Sequence, residues 1–168
     1  MLSPIQKEIV EQSGNLIVRA SAGTGKTHTM VSKIVYDIEY QHTHKVVAAI
    51  TFTIKAANEI KERLTIDTTS HFIGTNNSFA IEEIIKPFMK DVFGKAYKFD
   101  LSTDYLVKVN TFAEGLAKIR EEQILCSYMN NKENFIFQLA LDILKKSKVC
   151  QLYLQAKYFK IYVDEYQD

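Results

Sequence analysis

The chain has 168 residues, a length that fits one compact domain or one domain with a small insertion. Its hydrophobic fraction of 46% and charged fraction of 24% are typical of a folded globular protein and exclude a disordered chain. The net charge of +1 excludes a general electrostatic attraction to nucleic acid, so any DNA binding must come from a local surface.

The sequence predicts neither a targeting segment nor a membrane span. The N-terminus does not have the basic stretch followed by an apolar one that marks a signal peptide. The longest apolar run near the middle of the chain, residues 46–50, is far shorter than the roughly 20 residues that cross a bilayer. We therefore expect a cytoplasmic protein without a membrane partner.

Strands and helices are predicted to alternate along the first part of the chain. The short apolar run at residues 16–19 predicts a buried strand, and the glycine-containing segment 21–25 predicts a turn. Residues 26–40 have helical spacing, with Met30, Ile34 and Ile38 on one face. The pattern then predicts a buried strand, a helix, a short strand and a helix, at residues 46–52, 55–64, 72–73 and 79–93.

The second part of the chain has a different pattern. Residues 95–150 show helical spacing without a clear buried strand and are interpreted as a helical insertion. A short β-prone run at residues 159–163 follows, directly before an acidic cluster. We expect an α/β fold with a parallel sheet covered by helices. Residues 1–94 and 151–168 would form the sheet domain, and 95–150 the insertion.

The sequence ASAGTGKT at residues 20–27 matches the phosphate-loop pattern G-x-x-x-x-G-K-S/T, except that Ala20 replaces the first glycine. Small residues allow backbone N–H groups to surround phosphate oxygens, and the following helix adds its positive N-terminal end. Lys26 can reach the β- and γ-phosphates, and the Thr27 hydroxyl can hold Mg²⁺. The alternative is a glycine turn that precedes Lys-Thr by chance, and the flanking strand and helix argue against it.

An acidic segment, VDEYQD at residues 163–168, follows the last predicted strand. Ligands of open α/β sheets bind beyond the carboxyl ends of the strands, which is where these carboxylates would lie. Asp164 can hold Mg²⁺ and Glu165 can polarise an attacking water. Taken alone, an acidic tail is more often a solvated end.

Two further segments contain polar and aromatic side chains suited to binding. Residues 51–64 run from a strand end into a helix, where Phe52 could stack on an unpaired base and Lys55 could contact a phosphate. Taken alone, Phe52 is more often a core residue. Near the N-terminus, the primary amide of Gln6 could read the N6 and N7 edge of adenine.

These four segments, in this order, resemble the first RecA-like domain of UvrD/Rep-type superfamily 1 helicases, a P-loop NTPase fold. The residues LSPIQ resemble the adenine-reading Q motif and ASAGTGKT the Walker A form. TFTIKAANEIKERL resembles motif Ia, and VDEYQD resembles motif II, the DExQD box. The resemblance covers nearly the whole chain.

The resemblance implies ATP and Mg²⁺ as cofactors and single-stranded DNA as partner. Gln6 would contact adenine, Glu165 would act as general base, and Gln167 would sense the γ-phosphate and the DNA-bound state. Thr27 and Asp164 would hold the metal. The remaining implied contacts are to the nucleotide, by Ser21, Ala22, Gly23, Thr24, Gly25, Lys26, Thr27 and His28, and to DNA, by Phe52, Thr53, Lys55 and Thr75.

The sequence departs from the family pattern at three places. Ile54 stands where many members have Asn, and His28 stands where an Arg near the nucleotide is frequent. Asn76 and Asn77 stand in the segment GTNNS, where the family's motif Ib usually has an apolar or aromatic residue and His. The segment GTNNS, which contains Thr75, is therefore a weakened form of motif Ib.

The implied activity is that of an ATP-dependent DNA helicase or translocase that moves 3′→5′ on single-stranded DNA. The family's later motifs and its second RecA-like domain lie beyond motif II, so we expect a sheet that is incomplete at its C-terminal end. We also expect residues 1–168 alone to bind ATP weakly and to be inactive. The alternative is a non-motor P-loop ATPase or a nucleotide-gated DNA-binding module, which DNA-stimulated ATP hydrolysis would distinguish.

Overall fold

The computed structural model describes residues 2–21, 23–40, 43–97, 100–103 and 107–165. The helices are α1 Pro4–Glu11, α2 Lys26–Tyr40, α3 Ile54–Arg63, α4 Asn76–Phe79, α5 Lys86–Phe93, α6 Phe112–Glu122, α7 Phe135–Lys146 and α8 Lys148–Lys157. A π-helical segment, Ala80–Ile85, joins α4 to α5. The strands are β1 Val46–Thr51, β2 Phe72–Thr75, β3 Lys108–Val109, β4 Ser127–Tyr128 and β5 Tyr158–Val163.

The chain divides into two compact units. The first contains residues 1–75 and 157–168, and the second contains residues 76–156. The helical segments 76–93 belong to the second unit, in which Ala80–Ile85 and α5 both contact α7. The sequence-based division at residues 94 and 150 stays a prediction, and the units described here divide at 75 and 156.

The first unit is built on a parallel sheet in the order β2-β1-β5. The central strand β1 is almost continuously apolar, as expected when both faces of a parallel strand are covered. Val47 and Ala49 pack in one core with Ile34 of α2 and Ile60 of α3. The expected α/β fold, with a parallel sheet and flanking helices, is confirmed.

Local signals fix where two helices of the first unit begin. Ser3 caps α1 in a capping box, in which its hydroxyl accepts from the Gln6 N–H at 3.2 Å and the Gln6 side-chain oxygen accepts from the Ser3 N–H at 2.8 Å. Thr53 caps α3, where its hydroxyl accepts from the Ala56 N–H at 3.1 Å. The caps thus place Gln6 in the first turn of α1 and Lys55 in the first turn of α3.

The predicted strand at residues 16–19 is wrong. These residues form no strand and pair with none of the described strands, and Ile17 and Val18 are 77% and 43% exposed. A short apolar run becomes a strand only where a neighbouring strand accepts its hydrogen bonds and a packed layer covers its side chains. In the described sheet β5 is an edge strand that pairs with β1 alone, and residues 16–19 do not pair with it.

The second unit is mainly helical, and the expectation of an insertion without strands is wrong in one detail. β3 and β4 form a short parallel pair, in which Val109 and Tyr128 are buried. Two-residue strands are too short to show a period of two in the sequence. Gly115 of α6 permits the close packing of Phe135, because a Cβ atom at Gly115 would lie 2.2 Å from that ring.

Candidate nucleotide-binding site

The phosphate loop connects the irregular segment 16–20 to the N-terminus of α2. Gly23 and Gly25 have φ angles of 77° and 84°, in the left-handed region that other residues seldom adopt. The Thr24 N–H and hydroxyl both donate to the Ser21 carbonyl, at 3.4 and 2.7 Å. The loop is therefore held as a tight turn, and Ala22 within it lies outside the described residues.

Lys26 and Thr27 are the first two residues of α2. The Lys26 ammonium donates to the Ala20 carbonyl at 3.1 Å, so this side chain folds back along the loop. The Thr27 hydroxyl donates to the Asp164 carboxylate at 3.5 Å. The structure thus brings together two side chains that the sequence separates by 137 residues.

Asp164 follows β5 directly, and its N–H donates to the Ile50 carbonyl at 2.9 Å, which continues the pairing of β5 with β1. Burial raises the pKa of the Asp164 carboxyl, and the Glu165 charge adds to this rise, although Lys26 and the Thr27 hydrogen bond oppose it. A divalent cation beside this carboxylate would favour its charged form. Burial and the neighbouring Glu165 charge thus both disfavour the charged form of Asp164.

The Thr27 and Asp164 oxygens fit a shared Mg²⁺ shell. Mg²⁺ binds oxygen donors at about 2.0–2.1 Å in octahedral geometry, so two adjacent ligands lie about 3.0 Å apart. The observed separation of 3.5 Å requires a movement of only about half an ångström. These are the residues that would hold the metal, and the donor set is suited to this hard cation.

Glu165 has a φ of 55°, in the left-handed region, and its side chain is exposed. This conformation costs a residue with a side chain on the order of 1 kcal/mol, so such positions occur where the surrounding structure imposes them. Gln167, the expected γ-phosphate sensor, lies outside the described residues.

Gln6 lies against the phosphate loop. Its amide nitrogen donates to the Thr24 carbonyl at 3.4 Å, while its amide oxygen completes the capping box with Ser3. A Cβ atom at Gly25 would lie 3.1 Å from the same nitrogen. The amide keeps a second N–H and a second oxygen lone pair, which are what adenine recognition requires.

His28 is exposed and lines an open groove of the first unit together with Ser32 and Arg63. This groove lies along α2 and the end of α3. Among the described residues, the His28 side chain makes no hydrogen bond to the phosphate loop, and its carbonyl accepts from the Ser32 hydroxyl within α2. Its role at the nucleotide stays a prediction.

The expected DNA-contacting residues lie where the strands end. Phe52 follows β1 and is 62% exposed, and Thr53 and Lys55 beside it are exposed. Thr75 ends β2 opposite Thr51, the last residue of β1. Because the sheet is parallel, these strand ends and Asp164 after β5 all lie at the carboxyl-terminal side of the sheet.

A buried polar cluster of the first unit was not predicted. It contains Lys33 and Asp37 of α2 together with Lys160 and Tyr162 of β5. Lys33 is 7% exposed and Asp37 is 3% exposed. The only signal in the sequence is a Lys–Asp pair, four residues apart on α2.

The family of the chain follows from its similarity to known proteins. The family model described as the UvrD/REP helicase N-terminal domain matches residues 2–134. The chain belongs to this family. The family assignment confirms the resemblance inferred from the four motifs, and it makes the parallel sheet part of a RecA-like UvrD N-terminal domain.

Relatives in the family include ATP-dependent DNA helicases. The chain is 33% identical over 147 residues to the ATP-dependent DNA helicase Rep of Escherichia coli (strain K12), with 79% of this chain and 21% of the relative covered. It is 49% identical over 166 residues to the Gabija protein GajB of Bacillus cereus (strain VD045), with 97% of this chain and 33% of the relative covered. The chain therefore spans about a third or less of the length of these two relatives.

None of the described helices of this UvrD/Rep domain combines the length and the apolar character that crossing a bilayer requires.

Proposed function

We propose that this chain is the ATP-binding part of an ATP-dependent DNA helicase or translocase that couples ATP hydrolysis to 3′→5′ movement on single-stranded DNA. The proximity of Thr27 to Asp164, at 3.5 Å beside the phosphate loop, carries this proposal. It joins the two motifs that a P-loop ATPase needs to hold Mg²⁺ between its loop and its acidic strand end. Membership of the UvrD/Rep family supports the DNA motor over other P-loop functions.

The described residues support a division of the chemistry. Backbone N–H groups of the loop and the N-terminus of α2 would hold the phosphates, and Lys26 would turn from the Ala20 carbonyl toward the β- and γ-phosphates. Thr27 and Asp164 would hold Mg²⁺, which supplies charge neutralisation to the transferring phosphoryl group. Glu165, exposed next to Asp164, would accept the proton of the attacking water.

The common position of the two sets of residues, at the carboxyl ends of adjacent strands, supports coupling between ATP hydrolysis and DNA binding. Asp164 and Glu165 follow β5, whereas Phe52 follows the adjacent strand β1. A base stacked on Phe52 and a phosphate contacted by Lys55 would therefore lie one strand away from the metal ligands. A change at the γ-phosphate could reach the DNA contacts through two hydrogen-bonded strands.

Phosphate release by the full-length protein tests this proposal, with and without single-stranded DNA and beside a Lys26→Ala control. We expect DNA to stimulate hydrolysis and the control to abolish it. Displacement of a strand from a duplex with a 3′ tail, but not from one with a 5′ tail, would support the direction. Hydrolysis that DNA does not stimulate would contradict the motor and favour a non-motor ATPase or a nucleotide-gated binding module.

A further inference from the structure

The two ends of helix α1 make different contacts. At its N-terminal end Gln6 bonds to the Thr24 carbonyl of the phosphate loop. At its C-terminal end the carbonyls of Val10 and Gln12 accept from the buried Lys33 ammonium, at 3.0 and 2.7 Å. Gln6 and Val10 are four residues apart and so lie on one face of the helix.

Lys33 supplies what α1 lacks in its own sequence. The last carbonyls of a helix have no partner within the helix, and they carry its negative dipole end. A basic residue in the last turn often satisfies them, but α1 has none there. Lys33 of α2 takes this place from a buried position, while Asp37 at 3.5 Å balances its charge.

Helix α1 packs against α2. Val10 is the only buried residue of the helix, and the helix has eight residues, too few to be stable in isolation. The position of Gln6 therefore depends in part on the bonds of Lys33 to the carbonyls of Val10 and Gln12. Loss of these bonds would let the Gln6 amide move away from the loop and would leave the loop itself unchanged.

We infer that Lys33 is a positioning residue for base recognition: by holding the C-terminal end of α1 it sets the Gln6 amide at the adenine edge and thereby sets the preference for ATP over GTP. The inference deepens the proposed function and rests on its assignment of Gln6. Among the described residues, Lys33 bonds to the carbonyls of Val10 and Gln12 and pairs with Asp37, and it makes no hydrogen bond to the phosphate loop. Its loss should therefore change base preference and not triphosphate binding as such.

The chain offers a matched control. Lys160 also pairs with Asp37, at 2.6 Å, but has no bond to α1 in the described structure. In Lys33→Met the Asp37 carboxylate keeps Lys160 and the Tyr162 hydroxyl as partners, so it is not left uncompensated. In Lys160→Met it keeps Lys33 and Tyr162. Both variants remove one charge from the same cluster, and only one releases α1.

The test measures dissociation constants of ATP and GTP for the full-length protein by competition with a fluorescent ATP analogue. The wild type should prefer ATP, and Lys33→Met should lower the ATP/GTP preference roughly tenfold, the scale of a bidentate contact to a base edge. Gln6→Ala should lower it equally, the double variant no further, and Lys160→Met not at all. Thermal unfolding is followed for each variant.

Val10→Ala is the second variant, because it weakens the same attachment of α1 if Lys33→Met does not fold, and it should lower the preference in the same direction. An unchanged preference in a folded Lys33→Met or Val10→Ala protein would overturn the inference, and so would an equal loss in Lys160→Met. If the wild type prefers ATP and hydrolyses it, but Gln6→Ala has the same ATP/GTP preference, the inference is wrong and the proposed function stands. A wild type that binds neither nucleotide would overturn the proposed function as well.

Discussion

The Thr27 hydroxyl donates a hydrogen bond to the Asp164 carboxylate at 3.5 Å, although the two residues lie near opposite ends of the chain. Thr27 is placed by the first turn of α2, and Asp164 by the pairing of β5 with β1. The contact therefore depends on the folded sheet and not on either segment alone. It is the basis of the first prediction.

Asp164→Asn is expected to lower Mg²⁺-dependent ATP hydrolysis by the full-length protein by about 100-fold or more. The amide keeps the size and one oxygen but loses the charge, and a bound metal contributes several kcal/mol of charge stabilisation to the transition state. Phosphate release measured across a Mg²⁺ titration checks this. Asp142→Asn is the control, because Asp142 pairs with Lys146 on α7 and should leave the rate unchanged.

Phe52→Ala is expected to weaken binding of single-stranded DNA roughly tenfold, since stacking of one base on an aromatic ring contributes ~1–3 kcal/mol. The ring is 62% exposed, so its removal should cost little folding stability. Fluorescence anisotropy with a labelled oligothymidylate measures the affinity.

Ile54→Ala is the matched control for Phe52, because Ile54 is 73% exposed and lies two residues along the same segment. It lacks an aromatic face, so its loss should change DNA affinity less than twofold. Equal losses in the two variants would mean that general apolar contact, and not stacking, holds the DNA.

A pH dependence of stability is expected from His71. Its Nδ1 accepts a hydrogen bond from the Val47 N–H at 3.2 Å, at the start of β1, which requires that nitrogen to be unprotonated. Burial lowers the pKa of His71 below its ordinary value of 6.5, although the Asp67 charge opposes this shift. The unfolded state then binds more protons than the folded state between the lowered pKa and 6.5.

Stability contributed by neutral His71 is therefore fully present above about pH 6.5 and is lost as the pH falls through the lowered pKa. Urea unfolding between pH 5 and 7.5 measures this loss. His71→Asn should have a smaller slope in this range, because the Asn side-chain oxygen can accept the same bond and does not titrate. Equal slopes for the variant and the wild type would assign the pH dependence to other groups.

The sequence was sufficient to predict the elements whose signals are local. The strand at β1 and the helices α2 and α3 followed from the spacing of apolar residues, and the proximity of Thr27 to Asp164 was expected from the resemblance to the helicase motifs. These signals reflect backbone geometry and ligand chemistry, which short segments carry by themselves.

The features that were missed depend on distant neighbours. Residues 16–19 have the composition of a strand, but pairing decides whether they form one. The bonds of Lys33 to the carbonyls of Val10 and Gln12 join segments more than 20 residues apart. Every residue has a backbone carbonyl, so the sequence does not mark which of them accepts such a bond. Such contacts become visible only when the chain is folded.

The last prediction concerns purified residues 1–168, which we expect to bind ATP weakly and to hydrolyse it near the background rate. Phosphoryl transfer depends mainly on positioning and charge stabilisation, and an arginine finger is typically worth ~10³ to 10⁵ in rate. None of the three arginines of the chain lies in the phosphate loop or in motif II: Arg19 precedes the loop, Arg63 ends α3 and pairs with Glu59, and Arg120 lies on α6. Steady-state phosphate release with and without single-stranded DNA, beside Lys26→Ala, measures the activity. DNA-stimulated turnover well above that control would show that these residues suffice for catalysis and that no charge from a second domain is required.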